Sequence, residues 1–228
     1  MIEGFSLENL RRILQRVKET GRLCDFADAE EDFIVLRHDV EFSLDKAVEV
    51  ARIEHEMGIE ATYFVQVGNE SYNPFSDRSK AIIDEIRGYG HKIGLHYRWG
   101  EHPYEEIVRQ SKFLEWAIGA RIDRYSTHRP QAWQNYEENL VPGMINAYGS
   151  RFFERTDHPE TARVKYMSDS RYTWRFGFPD EENLKAKRVQ ILIHPFQWES
   201  ESIEDCFGRL LRIAEENNRE NYKREFFE

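Results

Sequence analysis

The stretch "IVLRHDVEFS" at Ile34–Ser43 begins as a run of apolar residues with the look of a buried strand and breaks into His38, Asp39 and Glu41. Two roles suit those acids. They can cap the helix that Ser43 starts, because helix N-termini favour negative side chains. Alternatively they stand at the end of a parallel strand, where α/β folds place their chemistry, and residues i and i+2 of a strand share a face. Asp39 and Glu41 then point into one mouth, while His38 has the opposite parity. The rest of the chain decides between the two roles.

Around this stretch the apolar spacing alternates between helix and strand. Ser6 precedes Leu7, Leu10, Ile13, Leu14 and Val17 at helical spacing, with Gly21 behind. After the 34–43 stretch come a helix from about Ser43 to Met57, closed by Gly58, and the strand "ATYFVQV". A helix around "SKAIIDEIRGYG" leads to the strand "HKIGLHY", and a helix at about 104–118 leads to a short strand ending in "YSTHRP". Such crossovers suit parallel strands. Between 131 and 190 the pattern weakens, with "VKYMSDS" and "YTWRFGF" as short strand candidates. The strand "VQILIHP" and a final helix at about 200–220 follow, and "NNRENYKREFFE" reads as a frayed helix end or tail.

Several strands therefore finish in residues able to bind a metal or move a proton: Asp39 and Glu41, then His96, then His128 with Arg129, then Asp169, then His194. Each has an ordinary structural explanation alone. A buried histidine can hydrogen-bond in a core, His128 can hold the "STHRP" turn, and Asp169 can form a local turn with Ser170. Together, in a barrel of parallel strands, they meet at the C-terminal mouth. His55 falls within a helix, His91 begins its strand, and His102 and His158 each precede a proline in a loop.

A carboxylate and two imidazoles leave open positions on Zn²⁺ or a similar ion, which supports metal-assisted hydrolysis. A second carboxylate, Asp39, suits the removal of a proton from water. An imidazole held by an acid partner, His194, suits protonation of a leaving amine.

The remaining composition bounds the class. The 228 residues carry a formal charge of -10 with acids and bases interspersed, which argues against a nucleic-acid groove and for a small or neutral ligand. Cys24 and Cys206 form neither a zinc-finger spacing nor a redox pair. No stretch has the length of a signal-peptide core or a membrane span, so a cytoplasmic location is expected. Without a repeat, a linker or a composition step, residues 1–228 read as one domain. The oligomeric state is open.

In their order, "LRHDVEFS", "GHKIGLHY", "HRP", "SDSRYTW" and "LIHP" resemble the motifs of the polysaccharide deacetylases of the NodB type, carbohydrate esterase family 4. The resemblance runs from about residue 33 to 198, toward a branch with a "RHDVD"-like opening. It implies a distorted (β/α)7 barrel and removal of acetyl groups from N-acetylated sugars. It also implies roles for particular residues: Asp39 as base, Glu41 and His96 as metal ligands, Arg129 as the arginine that steadies the base, Asp169 as the acid that orients the histidine, and His194 as general acid. Two positions depart from the family pattern. Glu41 stands where Asp is usual, and the second histidine of the H-x-x-x-H pair falls on Gly100. His128, ending the neighbouring strand, is the expected third ligand, with His102 next in line. Zn is the expected ion, with Co, Ni or Fe as alternatives.

Aromatic residues crowd the same region, including Tyr97, Trp99, Trp133, Tyr172, Trp174 and Trp198. Sugar clefts use such flat faces. Trp174 and Tyr97 are the expected substrate contacts, Trp174 because the family carries a Trp near its acid. The expected function is a metal-dependent deacetylase of an N-acetylated sugar or related small molecule. An amidohydrolase acting on a non-sugar C–N bond, or an inactive sugar-binding module of the same fold, are the alternatives.

Overall fold

β1 (Phe33–Val40) separates two cores. Phe33 and Val35 join Phe26, Phe64, Ala147 and Phe152 in one apolar cluster, whereas Ile34, Leu36 and Val40 join the larger cluster beneath the helices. Strand alternation produces this split, and because a parallel strand is covered on both sides every residue of β1 is buried.

In the computed structural model the other strands are β2 (Thr62–Val65), β3 (Lys92–Arg98), β4 (Arg124–His128), β5 (Ile145–Asn146), β6 (Lys165–Ser168) and β7 (Arg188–Ile193). They form a seven-stranded sheet of order β5-β4-β3-β2-β1-β7-β6, and the ladders are parallel. Its helices are α1 (Leu7–Glu19), α2 (Leu44–Glu56), α3 (Asp77–Gly88), α4 (Pro103–Ile118) and α5 (Ile203–Phe227). The structure describes residues 4–98, 100–130, 138, 140–156, 158 and 161–227. Trp99 and Trp133 lie outside the described residues.

The sheet curls into a distorted (β/α)7 barrel. Its edges, β5 and β6, share no ladder among the described residues, and aromatic side chains fill the seam. Tyr148, just past β5, lies 6.3 Å from Tyr166 of β6, and Phe153 packs edge-on to Tyr166 at 5.2 Å. Gln190 of β7 donates to the Phe152 carbonyl at 2.7 Å. Gly94 faces inward on β3, where a Cβ would stand 2.5 Å from the Phe64 ring, so only glycine lets that phenylalanine fill the barrel.

Ser43 alone caps α2, accepting from the Lys46 amide at 3.2 Å, so Asp39 and Glu41 are not needed as caps. The weakly patterned region holds two differences from the sequence expectation. β5 has two residues, too few to show a period, and "YTWRFGF" is a series of turns whose first residue, Tyr172, adopts positive φ (59°), as does Arg171 just before it (56°). Of the two readings of the last stretch, helix end or tail, it is helix, since α5 continues through Phe227. Among the described residues no helix is long and apolar enough to cross a membrane.

On the helix-facing side of β1, His38 meets a buried polar network. Its Nε2 lies 2.7 Å from Glu54 Oε1, and the Tyr63 hydroxyl donates to Glu54 Oε2 at 2.7 Å. His91 accepts from the Ala61 amide and contacts the Ala51 carbonyl, and burial lowers its pKa despite the attraction of Glu54. The network ties α2 to β1, to β2 and to the turn before β3. Tyr63→Phe removes one donor from a carboxylate shut off from water, and we expect it to cost about 1–3 kcal/mol. A lower urea midpoint at unchanged m-value is the measurement; an unaltered midpoint would show that the hydroxyl contributes nothing.

Candidate active site

The inward face of β1 reads Phe33, Val35, Arg37, Asp39, with Glu41 continuing the same parity. It passes from apolar bottom to charged mouth. Arg37 is wholly buried, its guanidinium 4.4 Å from the Tyr148 ring and 5.7 Å from the Phe64 ring. Its Nη2 pairs with Asp39 Oδ2 at 3.3 Å. Burial opposes the guanidinium charge, but Asp39 with Tyr148 and Tyr166 outweighs it, and the Arg37 pKa is raised.

Two further strands of the sheet complete the set by the same alternation. β3 supplies His96, and β4 supplies Ser126 and His128. Ser126 Oγ donates to Asp39 Oδ1 at 3.2 Å and lies 2.7 Å from His96 Nδ1. One hydroxyl proton cannot serve both partners, so with Asp39 as acceptor the imidazole donates through Nδ1–H. His96 Nε2 is then left as a bare lone pair. That nitrogen lies 3.4 Å from Glu41 Oε1 and 3.2 Å from His128 Nδ1, and His128 Nδ1 is 2.9 Å from the same Glu41 oxygen. The three ligand atoms lie within 4.8 Å of one another. Burial would raise the Glu41 pKa, but the His128 ring beside it and the charge of His194 hold it well below the usual carboxylate range.

Across the mouth, Asp169 follows β6 and His194 follows β7. Asp169 Oδ1 lies 2.6 Å from His194 Nδ1, and both carboxylate oxygens accept from the His194 amide at 3.0 Å. The Trp198 indole donates to Oδ2 at 3.1 Å, and Gln197 Nε2 donates to the Asp169 carbonyl at 3.0 Å. Asp169 is fully buried and held from three sides. Burial works against the imidazolium, yet Asp169, helped by Glu41 and Asp39, lifts the His194 pKa from 6.5 to about 9.

The expected set therefore assembles for Asp39, Glu41, His96, His128, Asp169 and His194. Arg129 is exposed, adopts a φ of 48° and lines the rim of the cavity. The guanidinium 3.3 Å from Asp39 in the barrel is that of Arg37, a contact that a reading of strand ends leaves out. Tyr97, expected as a substrate contact, lies away from the cavity. It follows His96, so it faces the helices, 2 % exposed, and its hydroxyl accepts from the Gly100 amide at 2.8 Å. Trp174 belongs to the helix-side core, edge-on to Phe178 at 5.5 Å, and does not line the cavity. His102 is exposed at the start of α4. The Trp198 indole orients Asp169 instead of forming a sugar platform.

A cavity of about 960 Å³ opens over this cluster, lined near it by Glu41, Arg129 and His194. It lies at the upper end of the range for small-molecule sites, roughly 300–1,000 Å³.

No family model matches the chain, and no curated relative matches it. Solved structures of carbohydrate esterase family 4 are similar to it. A Streptococcus mutans esterase of that family is 12% identical over 94% of this chain and 89% of its own, with a TM-score of 0.48. A family 4 acetyl xylan esterase from Clostridium thermocellum, in complex with a cobalt ion, is 14% identical over 81% of this chain and 84% of its own (TM-score 0.42). A pseudoenzyme of the family from Bacillus anthracis is 11% identical over 82% of this chain and 62% of its own (TM-score 0.44).

Proposed function

We propose that this protein is a metal-dependent hydrolase that removes an acetyl group from an N-acetylated sugar or a related small molecule. One observation carries the reading: Ser126 fixes the His96 tautomer so that a lone pair, a carboxylate oxygen and a second imidazole nitrogen face one point. Such a convergence suits a cation between the three atoms. A carboxylate with two imidazoles matches Zn²⁺, and Co²⁺, Ni²⁺ or Fe²⁺ share the preference. Glu41, His96 and His128 would hold the ion. When bound there, it polarises the acyl carbonyl and lowers the pKa of water toward about 7.

The chain's own groups then divide the proton traffic. Arg37 and Ser126 each occupy one oxygen of Asp39 and fix its rotation, leaving lone pairs free to take a proton from water. His194 keeps Nδ1 on Asp169, so Nε2 is the atom that gives a proton to the departing amine. Asp169, in turn, is fixed by the Trp198 indole.

Metal analysis together with acetate release tests this reading. One divalent ion per chain is expected in the purified protein, lost in His96→Ala and in His128→Ala while circular dichroism is retained. Full occupancy in His128→Ala would move the third ligand elsewhere. A wild-type protein that takes up no divalent ion and releases no acetate from acetylated amino sugars would be a binding module instead.

A further inference from the structure

The cavity does not end at the catalytic groups. It continues beneath α5, which is pinned at both ends of its span. Cys206 Sγ donates to the Phe196 carbonyl at 3.2 Å and Arg209 to that of Trp198 at 3.3 Å, while farther along Asn217 reaches Asp45 at 3.4 Å and Glu220 pairs with Arg78 at 3.3 Å. Fourteen residues at 1.5 Å each separate Cys206 from Glu220, so the helix bridges roughly 20 Å.

The bridge turns apolar side chains toward the space. Leu210, Ile213 and Ala214 line it, and Ile203, Phe207 and Leu211, spaced four apart, line it while remaining 56%, 62% and 50% exposed. An apolar helix side is ordinarily packed into a core; here it forms the wall of an open groove. Polar residues of the loop before α3 and of the α2 and α3 starts form the opposite rim.

The apolar lining begins at the catalytic groups themselves. Phe42 directly follows Glu41, and Phe196 lies two residues past His194, its ring 6.0 Å from that imidazole. The two rings meet edge-on at 4.7 Å, and Phe42 is 39% exposed. This ledge joins the reacting centre to the α5 groove on the side of His194, the group placed to protonate the leaving amine. Whatever extends along the groove is therefore attached to the amine fragment.

We infer that the substrate is an amphiphile: an N-acetylated polar head whose amine fragment carries an alkyl or polyprenyl chain lying between α5 and the first turns of α2 and α3. The inference rests on the hydrolase reading above for the direction of the chain. No bond changes beyond the amide hydrolysis are involved, and the chain supplies binding and orientation.

Octyl and methyl N-acetylglucosaminides are the probes, incubated with the metal-loaded full-length protein. The octyl compound should show kcat/KM at least about tenfold higher, equivalent to roughly 1.4 kcal/mol. Phe207→Ser and Leu211→Ser should collapse that ratio toward one, whereas Phe113→Ser, a phenylalanine of α4 that is 49% exposed, should leave it in place. Equal hydrolysis of both probes by wild type overturns the amphiphile while leaving the hydrolase standing. If neither is hydrolysed, calorimetric titration with octyl and methyl glucosaminide, the amine products, still decides: tighter octyl binding that Phe207→Ser abolishes supports the groove, and equal affinities overturn it. A ratio that survives Phe207→Ser while sedimentation shows a dimer falling to a monomer also overturns it, since the stripe would then be an interface between two copies.

Discussion

Asp39→Asn should keep its metal and lose about 10²–10⁴-fold in kcat, the usual contribution of a general base. The asparagine oxygen can still accept from Ser126 or from Arg37, so the side chain stays near its position while its ability to take a proton disappears. The variant separates proton transfer from metal binding because Asp39 is absent from the group of three facing ligand atoms. Arg37→Met should reproduce part of the loss by a different route. It removes the 3.3 Å pair that holds Oδ2, so Asp39 can rotate, and the pH dependence of the rate should change along with kcat. An Asp39→Asn protein with wild-type kcat would exclude Asp39 as base. A loss of metal in the same variant would make it a ligand.

Much of this site follows from alternation along three strands, and alternation is legible without coordinates. The i, i+2 rule that joins Asp39 to Glu41 also places His96 inward. It extends equally to Arg37 on β1 and, counted back from His128, to Ser126 on β4. Both are missed when only strand ends are read for chemistry, because Arg37 looks like an interruption of an apolar run and Ser126 like part of a turn. The same rule excludes Tyr97 once His96 is assigned inward.

The rest is not periodic and could not be read this way. Trp198 comes four residues after His194, beyond β7, and only the tertiary path of that loop brings its indole to Asp169. Trp174 carries the chemistry of a sugar platform, yet its turn directs it into the helix-side core, where burying a large ring is more favourable than exposing it. β5 is short because barrel closure at that edge relies on Tyr148, Phe153 and Tyr166, not on a ladder. α5 was legible as a helix, but its position over the mouth depends on polar tethers, two of which reach Asp45 and Arg78 far earlier in the sequence.

The His194–Asp169 pair sets how the rate depends on pH on the alkaline side. A general acid must be protonated when the amine leaves, and with a pKa of about 9 the imidazolium persists through neutral pH, so the rate should fall only as pH rises past about 9. Asp169→Asn removes the attraction that raises the pKa and leaves the burial that lowers it. The alkaline limb should therefore move to lower pH, with metal content unchanged. If it moves below about 7, the protonated fraction at pH 8 drops by about tenfold, one pKa unit being 1.36 kcal/mol. Stability has the same sign: a folded-state pKa above the unfolded 6.5 contributes stability that is complete below 6.5 and lost as pH rises through about 9. The urea midpoint of wild type should decline across that window, and that of Asp169→Asn should decline less. His194→Ala completes the test, because an acetylated phenol departs without a proton whereas an acetylated amine does not. The amine substrate should lose about 10²–10⁴-fold and the phenol far less. Equal losses on both would make His194 a binding residue and place the general acid elsewhere in the mouth.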